Sequence, residues 1–162
     1  MPIPALRSVV SLSLAVVVCA VTLAAAEEVT RDSYREAVEP ICKQNTKANE
    51  RIFKGVRSMV GKGELKRAAT QFTKAARALK GTVSELRTVS RPPADRRRLG
   101  KWLEAVSVEA SWFERVAAKL RAGEAAAAER MVARLSHQAV VTNSQVIPFE
   151  FHYCRLEPSR FA

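Results

Sequence analysis

From Asp32 onward, apolar residues return at steps of three and four, which is the period of an α-helix with one buried face. Four long segments keep this rhythm. The first, Asp32 to Val60, sets Ile41, Asn45, Ala48, Ile52, Val56 and Met59 on one stripe. Asp32 or Ser33 can cap it, Pro40 predicts a kink or a restart, and Gly61-Lys62-Gly63 ends it. The second, Glu64 to Val89, aligns Leu65, Ala68, Phe72, Ala75, Leu79, Val83 and Leu86 and stops at Ser90-Arg91-Pro92-Pro93, where two amide donors are missing. The third runs from Pro93, suited to a first helical position, to Arg121, with Leu99, Leu103, Val106, Ala110, Phe113, Ala117 and Leu120 inward and Gly123 as its stop. The fourth, Glu124 to Arg155, carries Ala128, Val132, Leu135, Ala139, Thr142, Val146, Phe149 and Tyr153, with Pro148 bending its end.

Short connections make successive helices antiparallel, so the expected fold is all-α, an up-down-up-down four-helix bundle. The composition agrees: 48% of residues are apolar and only 6% aromatic, with alanine, leucine and valine suited to close helix packing. In that order the first and fourth helices are antiparallel neighbours. Cys42, near the start of one, then lies level with Cys154, near the end of the other.

Residues 1–26 change the picture by adding a compartment. Arg7 is their only charge, Ser8 to Ala26 is uncharged, and Ala24-Ala25-Ala26 precedes Glu27-Glu28, the pattern of a signal peptide cleaved near Ala26. The alternative is an uncleaved anchor, which would be the only attachment to a membrane. Export places the domain, residues 27–162, in the cell envelope or secreted space. Cys19 leaves with the leader, and Cys42 and Cys154 remain as a single disulfide framework.

Of the 27 Lys and Arg residues one lies in the leader, leaving 26 against 16 acidic residues and a net charge of +10. Such an excess attracts polyanions, which outside a cell means anionic envelope polymers or lipid headgroups before nucleic acid. Basic residues concentrate at Lys66, Arg67, Lys74, Arg77 and Lys80, and at Arg96, Arg97, Arg98 and Lys101. The second group flanks a helix N-terminus, where a phosphate or carboxylate is well held, and is the candidate anion contact. An equally good reading is a solvated basic face.

Catalytic patterns are missing from the sequence. Arg134 and Phe149 stand three residues before His137 and His152, where a di-iron bundle needs glutamates, and no metal ligand set emerges. There is no Cys-x-x-Cys, phosphate-binding glycine loop or nucleophile elbow. A non-enzymatic protein without cofactor is expected, and no nucleic-acid module is present. The remaining candidates are polar residues on or beside the apolar stripes. Asn45 and Thr142 face inward, Asn49, Glu109 and Asn143 flank the stripes, and His152 lies near them. Such a layer is a hydrogen-bonded register device or, alternatively, the lining of a small-molecule cavity around Asn45, Asn49, Thr142 and His152.

The leader, Cys42-Lys43-Gln44-Asn45-Thr46, the Arg91-Pro92-Pro93-Ala94-Asp95 hinge followed by Lys101-Trp102-Leu103, and the Phe-x-Phe-x-Tyr-Cys-Arg ending together resemble a group of exported helical proteins of high-GC bacteria. The resemblance spans nearly the whole mature chain. It implies the fold and the compartment and brings no catalytic residue with it. The expected partners are an anionic envelope polymer or another envelope protein.

Overall fold

The computed structural model describes residues 28–157, so the leader expected over residues 1–26 lies outside the described residues. The element order is α1 (Arg31–Phe53), a short α2 (Val56–Gly61), α3 (Leu65–Thr88), α4 (Arg96–Arg121) and α5 (Ala125–Ser144), with 3-10 turns at Pro93–Asp95 and Ile147–Phe149. The four long helices form the all-α bundle. Among the described residues there is no strand, and no helix is long and apolar enough to cross a membrane.

Helices α3 and α4 make the most extensive pairing, α1 lies on α3, and α5 lies on α4. The α3–α4 register is visible in three side-chain bridges. Arg121 donates to Thr73, Lys80 to Glu114 at 2.6 Å and Arg87 to Ser107 at 3.2 Å. Each step of seven along α3 is matched by a step of seven back along α4, which is an antiparallel pair meeting once every two turns. Alanines 68, 69, 75 and 76 of α3 and 110 and 117 of α4 are buried, and their small side chains let the two backbones approach.

The helix boundaries depart from the sequence pattern at both ends of the chain. Thr30 caps α1, not Asp32 or Ser33: Ser33 N–H donates to Thr30 Oγ1 at 3.1 Å and Thr30 N–H donates to Ser33 Oγ at 3.0 Å, a reciprocal capping box. Pro40 sits within α1 and neither ends nor restarts it. Its ring is on the exposed side, while Val38 and Cys42 on either side are buried and hold the helix to the core. The break falls instead at Lys54-Gly55, where Gly55 takes φ 80°, a conformation that costs a residue without Cβ little.

The fourth helix ends at Ser144, eleven residues before the expected Arg155. Gln145 and Val146 turn back to the carbonyls of Thr142 and Asn143, and Pro148 has no amide with which to continue the helix. The chain then reverses and runs as an irregular tail along α1. Tyr34 meets Phe149 and Phe151 at 6.1 and 6.3 Å between ring centroids, and Trp102 meets Phe151 at 5.5 Å. These rings close one end of the bundle. Nearby, Arg31 makes a two-pronged contact with Asp95, at 2.6 and 2.9 Å, which ties the start of α1 to the proline hinge. The hydrogen bond from Arg31 holds the Asp95 carboxyl below the usual carboxylate range, against the opposing effect of burial.

Further along α1, Glu39 accepts from the amides of His152 and Tyr153 at 2.6 and 2.9 Å, and Cys42 is bonded to Cys154 with Cα atoms 5.0 Å apart. Asn143 then grips Leu156 through both its amide donor and its carbonyl, at 2.7 and 2.9 Å. The expected cysteine pairing is therefore present, although Cys154 reaches Cys42 from the tail and not from a fourth helix. The tail occupies the seam between α1 and α5 as far as Leu156.

Candidate functional site

Leu156 also borders a second stretch of the seam, where the described residues leave a space. An apolar groove of about 550 Å³ lies over a floor of three rings, Phe53, Phe72 and Phe113, whose centroids are 5.0 to 6.1 Å apart. Val56 and Val60 wall one side, and Ala125, Ala128 and Val132 of α5 wall the other, with Val116 and Leu120 of α4 between them. Arg57 and Glu129 are the charged residues of the lining, both are exposed, and neither forms an ion pair among the described residues.

Local sequence explains the opening. The break at Gly55 interrupts the first helix where a continuous one would have kept covering the aromatic floor. Opposite it, α5 begins with four alanines, Ala125 to Ala128, where longer side chains would have filled the space. A pocket of this size with a mostly apolar lining and a few polar groups at its edge has the ordinary dimensions of a small-molecule site. The sequence carries its signal in that alanine run beside an aromatic stripe, but alanine is equally common where two helices merely pack closely.

On the other side of Leu156 lies a second, much smaller space. A cavity of about 40 Å³ is lined by Asn45, Thr46, Thr82, Trp102, Glu109 and Thr142, among others, and is covered by the tail from Tyr153 to Glu157. Leu156 lines both spaces and divides them. The small cavity has room for about two or three water molecules and for no larger ligand.

Glu109 is the unusual group there. It is fully buried, neither of its carboxylate oxygens has a hydrogen-bond partner among the described residues, and burial pushes its pKa up to about 7 while contact with the Thr142 hydroxyl pulls the other way. That hydroxyl already gives its proton to the Gln138 carbonyl at 3.1 Å. A protonated Glu109 can instead donate to the Thr142 oxygen, so the neutral acid suits the site better than the carboxylate. Asn49, the Trp102 indole N–H and the Tyr34 hydroxyl are likewise buried without a hydrogen-bond partner among the described residues, and burial pushes the Tyr34 pKa up to about 12.

The polar residues singled out from the sequence are thus divided. Asn49 and Thr142 are fully buried and Asn45 is half-buried, and of these Asn45 and Thr142 line the small cavity. Asn49 does not line it, and His152 is exposed with its backbone amide on Glu39. Glu109, which helical spacing puts on a flank, is at the centre of the layer because the crossing of α5 over α4 buries that flank too. Arg96, Arg97, Arg98 and Lys101 are all exposed at the start of α4, and none forms an ion pair among the described residues. Arg97, Arg98 and Lys101 border an open depression with Ser144, Gln145 and Pro148. No group of three or more His, Cys, Asp or Glu side chains placed to hold a metal ion occurs among the described residues.

Comparison of the chain with protein-family models, with curated proteins and with solved structures finds no match to any of them.

Proposed function

We propose that this chain is an exported, non-enzymatic binding protein whose four-helix bundle holds a small apolar molecule, of the size and shape of a fatty acyl chain, in the groove between α2 and α5. The observation that carries this reading is the groove itself: about 550 Å³ with a mostly apolar lining over three aromatic rings. The paired cysteines and the signal-peptide pattern of residues 1–26 support an oxidising compartment outside the cytoplasm.

Titration with cis-parinaric acid, a fluorescent fatty acid, tests the proposal. The chain is expected to bind it saturably, and Val132→Trp, which places an indole in the groove from its α5 wall, is expected to weaken binding about tenfold or more with the helical circular dichroism retained. Absence of saturable binding, or equal affinity in the folded variant, overturns it.

A second reading rests on the basic residues at the start of α4. Arg96, Arg97, Arg98 and Lys101 are all exposed and form no ion pair among the described residues, with Asp95 near Arg98 offsetting part of their charge, and this basic excess supports contact with an anionic envelope polymer. Retention on teichoic acid or a comparable polyphosphate is expected to fall steeply between about 50 and 300 mM salt, as screening shortens the reach of surface charge. Neutralising all four residues together is expected to remove most of that retention. Retention unchanged by salt or by the substitutions would rule the contact out.

A further inference from the structure

We propose that the small cavity beneath the tail is a site for a water-sized monovalent cation, ammonium or potassium, held by the Glu109 carboxylate together with Asn45 Oδ1 and the hydroxyl oxygens of Thr82 and Thr142. The site is separate from the apolar groove and independent of what binds there.

The lining of this cavity is rich in acceptors and poor in donors. Both Glu109 carboxylate oxygens and Asn45 Oδ1 are buried without a hydrogen-bond partner among the described residues, and against these acceptors stands one unpartnered donor, the Trp102 indole N–H. Two hydroxyls add to the excess. Thr82 and Thr142 donate their protons to the carbonyls of Ala78 and Gln138, each at 3.1 Å, so what they can turn to the cavity is a lone pair. Each of the four long helices thus supplies one member of the set: Asn45 from α1, Thr82 from α3, Glu109 from α4 and Thr142 from α5. Buried acceptors in such a ring call for a guest that donates or carries positive charge.

Charge decides between the guests. Glu109 forms no ion pair among the described residues, and the other lining residues able to carry charge, Tyr153, Arg155 and Glu157, all belong to the tail, with Arg155 exposed to solvent. Water in a space of about 40 Å³ hydrogen-bonds an ionised Glu109 but leaves its buried charge uncompensated. A proton compensates it below the folded pKa of about 7, and a cation no larger than water does so above. Ammonium brings N–H donors as well as charge, and potassium is of similar size. A divalent ion asks for about six or more oxygen ligands or keeps several of its own waters, which one carboxylate in this volume does not accommodate.

Thermal unfolding at pH 8, followed by circular dichroism in the chlorides of ammonium, potassium and tetramethylammonium at equal ionic strength, tests the site, because tetramethylammonium is too large to enter. A dissociation constant of about 10 mM makes folding about tenfold more favourable in about 100 mM of the ion, a rise in Tm of about 5 °C. That rise is expected for the parent in ammonium and in potassium relative to tetramethylammonium, and is expected to vanish at pH 4.5, where Glu109 holds a proton instead. Glu109→Gln keeps the shape without the charge and is expected to show no such rise at either pH. Crystals grown at pH 8 with thallium(I), a potassium substitute, give a direct readout, with an anomalous peak beside Glu109 in the parent and none in the variant. Equal Tm values in the three salts for the parent, or a salt difference of the same size in Glu109→Gln, would overturn the site, and so would crystals that show water alone beside Glu109.

Discussion

Opening the Cys42–Cys154 bond, by reduction or by replacing both residues with serine, is expected to lower the stability of the fold by about 4 to 5 kcal/mol. The bond closes a loop over a sequence separation of 112 residues, and a link of that span removes a large part of the freedom of the unfolded chain. For a domain of this size the loss corresponds to a fall in Tm of roughly 15 to 20 °C, read by circular dichroism with and without reductant. Local consequences follow in the folded state. The tail supplies Phe149 and Phe151 to the closed end of the bundle and Leu156 to the wall between the two cavities, and its other ties include the Glu39 and Asn143 hydrogen bonds, the Arg35–Glu150 ion pair and ring packing. A Tm shift below about 5 °C would show that these contacts alone are sufficient.

Glu109 gives the second large effect, and its sign is opposite to that of most carboxylates. Its pKa lies near 4.5 in an unfolded chain and at about 7 in the folded one, so between these values the folded state binds more protons. Stability is therefore greatest below about pH 4.5 as far as this group is concerned, is lost as pH rises through 7, and is level above that. The difference amounts to about 3 kcal/mol. Glu109→Gln keeps the shape and removes the charge, and is expected to be more stable than the parent by about that amount at pH 8 and by little at pH 4.5. Denaturant titrations of both proteins at the two pH values measure it. A parent chain whose stability does not fall from pH 5 to pH 8 relative to the variant would show that the carboxylate is accommodated by groups or water inside the cavity.

The helical period made most of the fold legible in advance, because a stripe with steps of three and four residues has few other uses in a chain with so many alanines and leucines. Leu79, Val83 and Leu86 on α3, and Leu99, Leu103 and Phe113 on α4, are buried as their spacing requires. The boundaries were less legible. Pro40 is a strong local breaker, yet the buried residues on either side of it hold α1 together, whereas Gly55 breaks the helix in the middle of an unbroken apolar pattern. After Ser144 the pattern runs on through Val146, Phe149 and Tyr153, and these residues are drawn to the core whether the backbone is helical or not. Hydrophobic spacing therefore located the side chains and misjudged the backbone that carries them.

The candidate site was hidden for a related reason. Asn45, Asn49 and Thr142 were recognisable as polar residues on or beside apolar stripes, but the space they were expected to line is occupied by the tail and reduced to about 40 Å³. The larger space arises from what is missing along the seam, namely long side chains at Ala125 to Ala128 and a continuous helix across Gly55. Volume left between two helices depends on both partners at once, and no single stripe reports it. Glu109 illustrates the same point from the opposite direction: a flank position becomes interior when a neighbouring helix crosses over it.

The Cys42–Cys154 link also determines what a cut backbone would do. The turns after α2, α3 and α4 all lie between the two bonded cysteines. A protease that severs any one of them leaves two fragments still covalently joined, so a nicked molecule keeps its full mass until it meets a reductant. Outside a cell, where proteases are common and reductants scarce, one broken peptide bond in these turns does not release a piece of the bundle.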